Sequence, residues 1–270
     1  MAEQTEFRKR SVAVISPCGG SGASILCKET GLWLSKKQIS GSCLRVLIAD
    51  LHNGNGSQET LMNFPDCRYS FGNLLKNLRD LPEHTEETLL EFASWENIER
   101  FLCYDRGENI YVLTAPESAV KPPVNVSEAL CILGAVSQHF DVTLIDPPCG
   151  LQNAAAQAAL EHSDRIIFTL RDDADSIEKM MELRGELKRT GFLQKAEQSG
   201  GLVLLSLSEK SRYMTQKEIE EYLGIRVLTK IPFFEPAWTY TNVGNTMTGS
   251  DTPVAPSYEK VCRWIAAEIS

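Results

Sequence analysis

The fold is decided by the stretch Ser11-Val12-Ala13-Val14-Ile15-Ser16-Pro17-Cys18-Gly19-Gly20-Ser21-Gly22-Ala23-Ser24. Its first part is mostly apolar and predicts a buried strand, and a helix-like stretch follows it. The glycines let the backbone turn sharply and present N–H groups to an anion, and the start of the next helix adds its unpaired N–H groups and its positive dipole end. Ser24 stands where a hydroxyl could ligate Mg²⁺. An ordinary strand-to-helix turn would also suit these residues, so the position of the loop after the first strand is what makes it informative.

Short apolar stretches alternate with helix-like stretches over most of the chain. The apolar stretches lie at 11–16, 44–50, 110–114, 142–146, 165–170, 202–207 and 226–231. The helix-like stretches lie at 23–37, 71–79, 86–92, 127–139, 152–161, 176–190, 215–222 and 257–269. This alternation predicts an α/β fold with a mostly parallel sheet covered by helices on both faces.

Two of the apolar stretches end on an aspartate, at Asp50 and at Asp146. An aspartate at the carboxyl end of a buried parallel strand points into the crevice where α/β proteins bind ligands. Two such acids beside a glycine loop suit a Mg²⁺–nucleotide site, because Mg²⁺ is typically held by a carboxylate, phosphates and water. Each aspartate taken alone would equally suit a helix cap or a turn.

The composition is that of a globular protein. Of the 270 residues, 43% are hydrophobic and 23% are charged, which excludes a disordered, collagen-like or coiled-coil chain. The length allows one large domain or two small ones. The 27 basic and 36 acidic side chains give a net charge of −9. We therefore expect no strong non-specific binding to nucleic acid, which needs a surplus of lysine and arginine.

Several features predict a cytoplasmic protein. No apolar stretch approaches the ~20 residues that cross a bilayer, so we expect no transmembrane segment. Residues 1–10 carry charges, with no apolar block of signal-peptide length after them. The eight cysteines are scattered, without a Cys-x-x-Cys pair. We expect them to be reduced and to serve as small apolar residues, since disulfide frameworks belong to short secreted chains.

Together these motifs resemble the ParA/MinD class of deviant P-loop ATPases, and most closely its CpaE/TadZ branch. The loop of the class reads Lys-Gly-Gly-x-Gly-Lys-Ser/Thr. In the CpaE/TadZ branch it often reads Gly-Gly-x-Gly-Ala-Ser, as residues 19–24 do here. The resemblance continues through Asp50 and the stretches 109–116, 140–148 and 231–233, so it covers about the whole chain. We expect an N-terminal tail at residues 1–10 and a single ParA/MinD-like P-loop domain at 11–270.

The resemblance also implies the residues of a nucleotide site. ATP or ADP would be bound by Cys18, Gly19, Gly20, Ser21, Gly22, Ala23, Ser24, Ser206 and Pro232. Mg²⁺ would be held by Ser24, Asp50 and Asp146, and the two aspartates would be the catalytic residues. Active relatives carry lysines at the positions of Cys18 and Ala23, and a second aspartate at that of His52. Much of the charge that stabilises a transferring phosphoryl group is therefore missing.

The resemblance implies a cytoplasmic, nucleotide-responsive positioning or scaffold protein for a pilus or secretion machine, recruited to a pole or to a membrane-bound machine. It would act as a homodimer that binds a protein partner, with ATP hydrolysis weak or absent. Two alternatives stay open. One is an active ParA/MinD-type ATPase in DNA partitioning or division-site placement, which the loss of both loop lysines opposes. The other is a pseudo-ATPase that binds no nucleotide and serves as an interaction module.

Overall fold

The computed structural model describes residues 9–39, 42–54, 56–64, 67–208, 213–242 and 244–267. Its strands are β1 (Arg10–Ile15), β2 (Gln38–Ile39), β3 (Ser42–Cys43), β4 (Val46–Asp50), β5 (Cys103–Asp105), β6 (Ile110–Leu113), β7 (Val142–Asp146), β8 (Arg165–Arg171), β9 (Gly200–Leu205) and β10 (Val227–Ile231). The tail expected at residues 1–10 lies outside the described residues, apart from Lys9 and Arg10, and Arg10 is already the first residue of β1.

One eight-stranded sheet carries the fold, in the order β10-β9-β8-β1-β7-β4-β6-β5. Its neighbouring strands pair in parallel, except that β5 pairs antiparallel with β6 at one edge. Strands β2 and β3 form a separate antiparallel pair. The predicted mostly parallel sheet is confirmed. Because β1 lies between β7 and β8, the loop that follows β1 opens where the strand order reverses, which is where α/β sheets bind ligands.

Helices cover both faces of the sheet, as predicted. They are α1 (Ala23–Ser35), α2 (Gln58–Leu61), α3 (Phe71–Arg79), α4 (Glu86–Phe92), α5 (Trp95–Ile98), α6 (Val126–Ser137), α7 (Ala154–His162), α8 (Ala174–Arg189), α9 (Leu193–Ser199), α10 (Gln216–Leu223), α11 (Ala237–Asn242) and α12 (Ala255–Ala266), with a 3₁₀ turn at Glu99–Phe101. None of these described helices has the length and apolar character that a membrane crossing requires.

The sheet separates two apolar cores. Along β1 the side chains alternate: Ala13 and Ile15 join one buried cluster, and Val12 and Val14 join the other. Residues of α3, α6, α7, α8 and α10 complete the first cluster. Residues of α1 and α12 complete the second. This sandwich fixes the carboxyl ends of β1, β4 and β7 next to one another at one edge of the sheet.

Three details differ from the predictions. The strand expected at 202–207 ends at Leu205, and the Leu207 side chain is exposed. The elements α2, α5, α9, α11 and β5 were not predicted. Helices α2 and α5 and strand β5 are too short to show a periodic apolar pattern, and α9 offers only Leu193 and Ala196 as apolar residues. The last helix was expected to reach 269, but residues 268–270 lie outside the described part of the chain.

The cysteines do not all behave as expected. Cys67 and Cys103 form a disulfide across 36 residues of sequence, with their Cα atoms 5.8 Å apart, so the expectation that every cysteine is reduced is wrong. Six others, Cys18 among them, are free. Cys67 precedes α3 and Cys103 begins the edge strand β5, and their spacing in sequence gives no sign that the fold brings them together.

Candidate functional site

The loop between β1 and α1 has the backbone of an anion site. Gly20 and Gly22 have φ angles of 74° and 79°, in the left-handed region that favours glycine. Gly22 is the N-cap of α1, and no side chain caps the helix. In the described structure the backbone N–H groups of Gly19 and Gly20 donate no hydrogen bond. These groups and the uncapped start of α1 are free to bind an anion.

Side chains hold this loop from two sides. Cys18 is buried, with its Sγ 3.5 Å from Ser21 Oγ and 3.8 Å from Ser176 Oγ. On the outside, Arg171 at the end of β8 donates from Nη1 to the carbonyl oxygen of Gly19 at 3.2 Å. Two nearby carboxylates, those of Asp173 and Asp175, pair with the same guanidinium at 2.8 and 3.1 Å. Arg171 therefore orients the loop but, paired with two carboxylates, brings no net positive charge to it.

Asp50 ends β4, is completely buried, and has both carboxylate oxygens occupied. Its Oδ1 accepts from the backbone N–H of His52 at 3.1 Å and from Nδ1 of the same residue at 2.7 Å. Its Oδ2 accepts from the backbone N–H groups of Ser57 and Gln58, both at 3.1 Å. A side chain at Gly56 would put its Cβ 2.7 Å from Asp50 Oδ2. Glycine at position 56 therefore allows residues 56–58 to lie close against the acid.

Asp146 ends β7, directly opposite Asp50 in the sheet register, and is equally buried. Its Oδ2 accepts from the Nε2 atom of Gln58 at 2.7 Å. The same Nε2 atom donates to the backbone carbonyl of Ser24 at 2.9 Å. Asp146 Oδ1 and Gln58 Oε1 are buried and have no hydrogen-bond partner in the described structure. One acid is thus saturated, and the other retains a free oxygen.

The electrostatics follow from this burial. Burial, reinforced by the negative charge of Asp50, raises the pKa of Asp146 to about 6, against the hydrogen bond from Gln58, which lowers it. Burial would lower the pKa of His52, but the hydrogen bond to Asp50 and the charges of Asp50 and Asp146 outweigh it, so the pKa of His52 is raised. One ligand atom from each of these three residues lies within 4.8 Å of the others, a spacing that one metal ion could bridge.

A cavity of about 560 Å³ opens beside these groups, within the size range of small-molecule sites. It is lined by the loop residues Gly19–Ser24, by His52 and by Asp146–Cys149, among others. Of the predicted site residues, the loop and Asp146 therefore meet at this cavity. Asp50 is hydrogen-bonded to His52, which lines the cavity, but Asp50 itself does not line the cavity.

The other predicted nucleotide-binding residues lie outside the lining of this cavity. These are Cys18, which is buried behind the loop, and Ser206 and Pro232. Ser206 follows β9 and donates its backbone N–H to Ile231 at 3.0 Å, which joins the ends of β9 and β10. Pro232 is exposed just after β10. A contact of Ser206 or Pro232 with nucleotide stays a prediction.

Gln58 was not predicted as a site residue. A serine at position 57 with Glu59 two residues later is a signal for a helix start, and it marks the beginning of α2. Nothing in the local sequence indicates that Gln58 is buried against Asp146, because the two residues are 88 positions apart.

Comparison with known proteins finds relatives of low sequence identity. No family model matches the chain. Over 166 residues, 60% of the chain, it is 22% identical to the septum site-determining protein MinD of Thermotoga maritima. The chain spans 60% of the length of that curated relative.

The fold is similar over nearly the full length to two solved structures. A ParA family ATPase from Chlorobium tepidum TLS matches with a TM-score of 0.75 and 14% identity, over 94% of this chain and 99% of that one. MinD of Pyrococcus horikoshii OT3, complexed with Mg-ADP, matches with a TM-score of 0.72 and 16% identity, over 95% and 96%. The chain therefore has the α/β fold of the MinD and ParA P-loop ATPases.

Proposed function

We propose that this chain is a CpaE/TadZ-like cytoplasmic positioning or scaffold protein that binds ATP or ADP with Mg²⁺ and hydrolyses ATP slowly or not at all. One observation carries the proposal. The phosphate loop and the carboxylate of Asp146 share one cavity, but Ala23 and Cys18 occupy the positions at which active relatives have lysines.

The loop suits phosphate groups. Free backbone N–H groups at Gly19 and Gly20 and the uncapped start of α1 are the donors that phosphate oxygens need. The Gly19 position is open, because a Cβ built there would meet no atom within 4 Å. These features support binding of the nucleotide in its ground state by backbone groups alone.

The residues beside the loop suit Mg²⁺. Asp146 Oδ1 is buried without a hydrogen-bond partner in the described structure, and Ser24 lies in the same cavity. A carboxylate, a hydroxyl, phosphates and water are oxygen ligands of the kind that Mg²⁺ prefers. Asp146 and Ser24 would hold the ion, which neutralises phosphate charge when bound. Asp50 could join them only after it loses hydrogen bonds from His52, Ser57 or Gln58.

Weak hydrolysis follows from the missing charges. A hydrogen bond to a charged group contributes about 1.5–3 kcal/mol, so alanine in place of lysine could weaken phosphate binding by roughly 10- to 150-fold. The loss matters more in the transition state, where a fixed cation stabilises the shifting charge. His52 stands where active relatives have a second aspartate, and its Nδ1 is engaged with Asp50. At the positions of Cys18, Ala23 and His52, the groups that place water and stabilise the transferring phosphoryl group in active relatives are therefore replaced.

The output would be assembly rather than turnover. By its resemblance to the CpaE/TadZ branch, the chain would form a homodimer and bind a component of a pilus or secretion machine at a pole or a membrane-bound assembly. A net charge of −9 supports a protein partner rather than non-specific duplex DNA. Light scattering with and without ATP and Mg²⁺ tests the dimer, and a monomer under every condition would contradict it.

The binding test compares the unmodified chain with Ala23→Lys. We expect measurable equilibrium binding of ATP or ADP with Mg²⁺, tightened roughly 10- to 150-fold by the lysine, with little gain in phosphate release. Ala93→Lys is the matched control, since it places the same charge at a half-buried residue at the end of α4. Absence of nucleotide binding in both the unmodified chain and Ala23→Lys would make the chain a pseudo-ATPase interaction module.

A second candidate is an active ParA/MinD-type ATPase in DNA partitioning or division-site placement, which the Thermotoga relative favours. It requires turnover without either loop lysine. Phosphate release at ordinary enzyme rates, stimulated by DNA or by a partner and abolished by Asp146→Asn, would favour this candidate over the scaffold protein.

A further inference from the structure

The Gln58 carboxamide lies between the strand-end acid and the phosphate loop. The residue is completely buried at the first position of α2. A single nitrogen, Nε2, donates at 2.7 Å to Asp146 Oδ2 and at 2.9 Å to the carbonyl oxygen of Ser24. Its Oε1 atom has no hydrogen-bond partner in the described structure. The amide is therefore fixed by its nitrogen alone, which faces oxygen atoms on both sides.

The Gln58 Nε2 group carries a partial positive charge and lies between Asp146 Oδ2 and the carbonyl oxygen of Ser24, which is a position that a cation could occupy. The two acids have ligand atoms within 4.8 Å of each other, and buried carboxylates at this distance require neutralisation. Here the neutralising groups are N–H donors. Those of His52, Ser57 and Gln58 occupy Asp50, and the Gln58 amide occupies one oxygen of Asp146.

We propose that the Gln58 side chain holds the place of a divalent cation at this site. A cation bound by Asp146 Oδ2 and the carbonyl oxygen of Ser24 takes the position of Gln58 Nε2, so its binding there and the seating of Gln58 exclude each other. This inference rests on the proposed function, from which it takes Asp146 and Ser24 as the cation-binding residues. It makes Gln58 the residue that sets the metal requirement of the site.

The same contact links the cation to the position of α2. The backbone N–H groups of Ser57 and Gln58 bind Asp50, while the Gln58 side chain binds Asp146. When a cation binds Asp146 Oδ2, the Gln58 side chain must withdraw, and α2 loses one of its two attachments to the strand ends. Cation binding therefore changes the position of α2, which also contacts α1 and α11.

The test measures Mn²⁺ binding to the full chain without nucleotide, by the loss of the free-ion signal in electron paramagnetic resonance. We expect Gln58→Ala to bind Mn²⁺ at least about tenfold more tightly than the unmodified chain, because the competing donor is gone. Gln58→Glu should bind it more tightly still, because a third carboxylate replaces the amide. Addition of Asp146→Asn to Gln58→Ala should abolish the gain.

Gln157→Ala is the matched control, since Gln157 is a half-buried glutamine whose Nε2 donates to the carbonyl of Leu151 at 2.8 Å. It should bind Mn²⁺ as the unmodified chain does. Weaker binding by Gln58→Ala would show that the side chain is a ligand, and unchanged binding would show that it has no part in the site; either result overturns the proposal. If Gln58→Ala does not fold, Gln58→Glu decides the question: Mn²⁺ must raise its thermal midpoint more than that of the unmodified chain.

Parallel titrations with ADP, in EDTA and in MgCl₂, separate this inference from the proposed function. No ADP binding by any variant would refute the nucleotide site and leave the Mn²⁺ comparison intact. Where ADP binds, the unmodified chain should bind it with less dependence on Mg²⁺ than Gln58→Ala. A stronger dependence in the unmodified chain would contradict the role given to Gln58.

Discussion

Asp50 and Asp146 are register partners at the ends of β4 and β7, and both are fully buried, but the hydrogen bonds that they accept differ in number and kind. Asp50 accepts hydrogen bonds from His52, Ser57 and Gln58. Asp146 accepts one from a side chain and keeps Oδ1 unpartnered within the described structure. Two aspartates at equivalent strand ends thus differ in their hydrogen bonding. The carboxylate of Asp50 is saturated by donors from residues 52–58, whereas the carboxylate of Asp146 keeps one oxygen available to a ligand.

The loops that follow the two strands explain this difference. After Asp50 the chain continues with residues that carry backbone N–H groups, and Gly56 permits a close return over the carboxylate. After Asp146 come Pro147 and Pro148, which have no N–H to donate. Pro148 stands two residues after Asp146, the position from which the His52 N–H reaches Asp50, so this backbone donor is missing at Asp146. The acid beside the cavity is therefore left for another donor or for a cation.

The largest expected effect comes from exchanging each acid for its amide. Asp50→Asn should lower the free energy of unfolding by roughly 3–5 kcal/mol, because an amide nitrogen would face buried N–H donors. Asp146→Asn should leave it unchanged or raise it by about 1–2 kcal/mol at pH 5, because the buried carboxyl must take up a proton on folding whereas an amide need not, and one acceptor remains. Urea unfolding midpoints of both variants measure the contrast, and equal losses would contradict it.

The next effect is the pH dependence that Asp146 confers. Its pKa is raised from 3.8 to about 6 on folding, so the folded state binds more protons than the unfolded state between these values. Stability is then greatest below the unfolded pKa and falls as pH rises through about 6. At about 1.4 kcal/mol per pKa unit, the change is roughly 2–3 kcal/mol. Asp146→Asn should flatten the stability profile across this range, and an unchanged slope would contradict the assignment.

A smaller effect is expected from closing the space over Asp50. A Cβ at Gly56 would lie 2.2 Å from Ala115 Cβ and 2.7 Å from Asp50 Oδ2. Gly56→Ala should therefore cost roughly 1–3 kcal/mol through overpacking. Gly134→Ala in α6 is the control, because nothing lies within 4 Å of its Cβ position. It should be neutral or stabilise the helix by up to about 1 kcal/mol. Thermal unfolding of the two variants gives the comparison.

Much of the sheet could be predicted from the sequence because its central strands are buried on both faces and read as apolar runs. The predicted bounds 71–79, 86–92 and 142–146 agree with α3, α4 and β7. The four-residue helix α2 and the three-residue strand β5 were missed because neither stretch shows a measurable periodicity.

Only those site residues could be predicted whose role shows in the neighbouring sequence. Glycines after a strand and aspartates at strand ends are visible in the sequence, and the structure brings the loop and Asp146 to one cavity. The saturation of Asp50 and the role of Gln58 depend on contacts across the sheet and on the path of a loop. A rule that combines a strand-end aspartate with following prolines would have distinguished Asp146 from Asp50.

The smallest expected effect concerns His52, which contributes the shortest hydrogen bond to Asp50, at 2.7 Å. The pKa of His52 is raised on folding because the hydrogen bond and charge of Asp50 outweigh burial. Its contribution is therefore complete below the unfolded pKa of 6.5 and is lost as pH rises through the higher folded value. His52→Gln keeps a donor and removes the titration, so its free energy of unfolding should fall by about 1 kcal/mol or less near pH 6 and by almost nothing near pH 9.

His162→Gln is the control, because the pKa of His162 shifts in the opposite direction on folding. Burial, the largest cause, lowers the pKa of His162 on folding, so its protonation opposes folding, and the substitution should stabilise the chain relative to the unmodified protein as pH falls below 6.5. Urea midpoints between pH 5 and 9 should diverge in opposite directions for the two variants. Parallel profiles would mean that the charge of His52 does not act on Asp50, and that backbone groups alone saturate that end of the sheet.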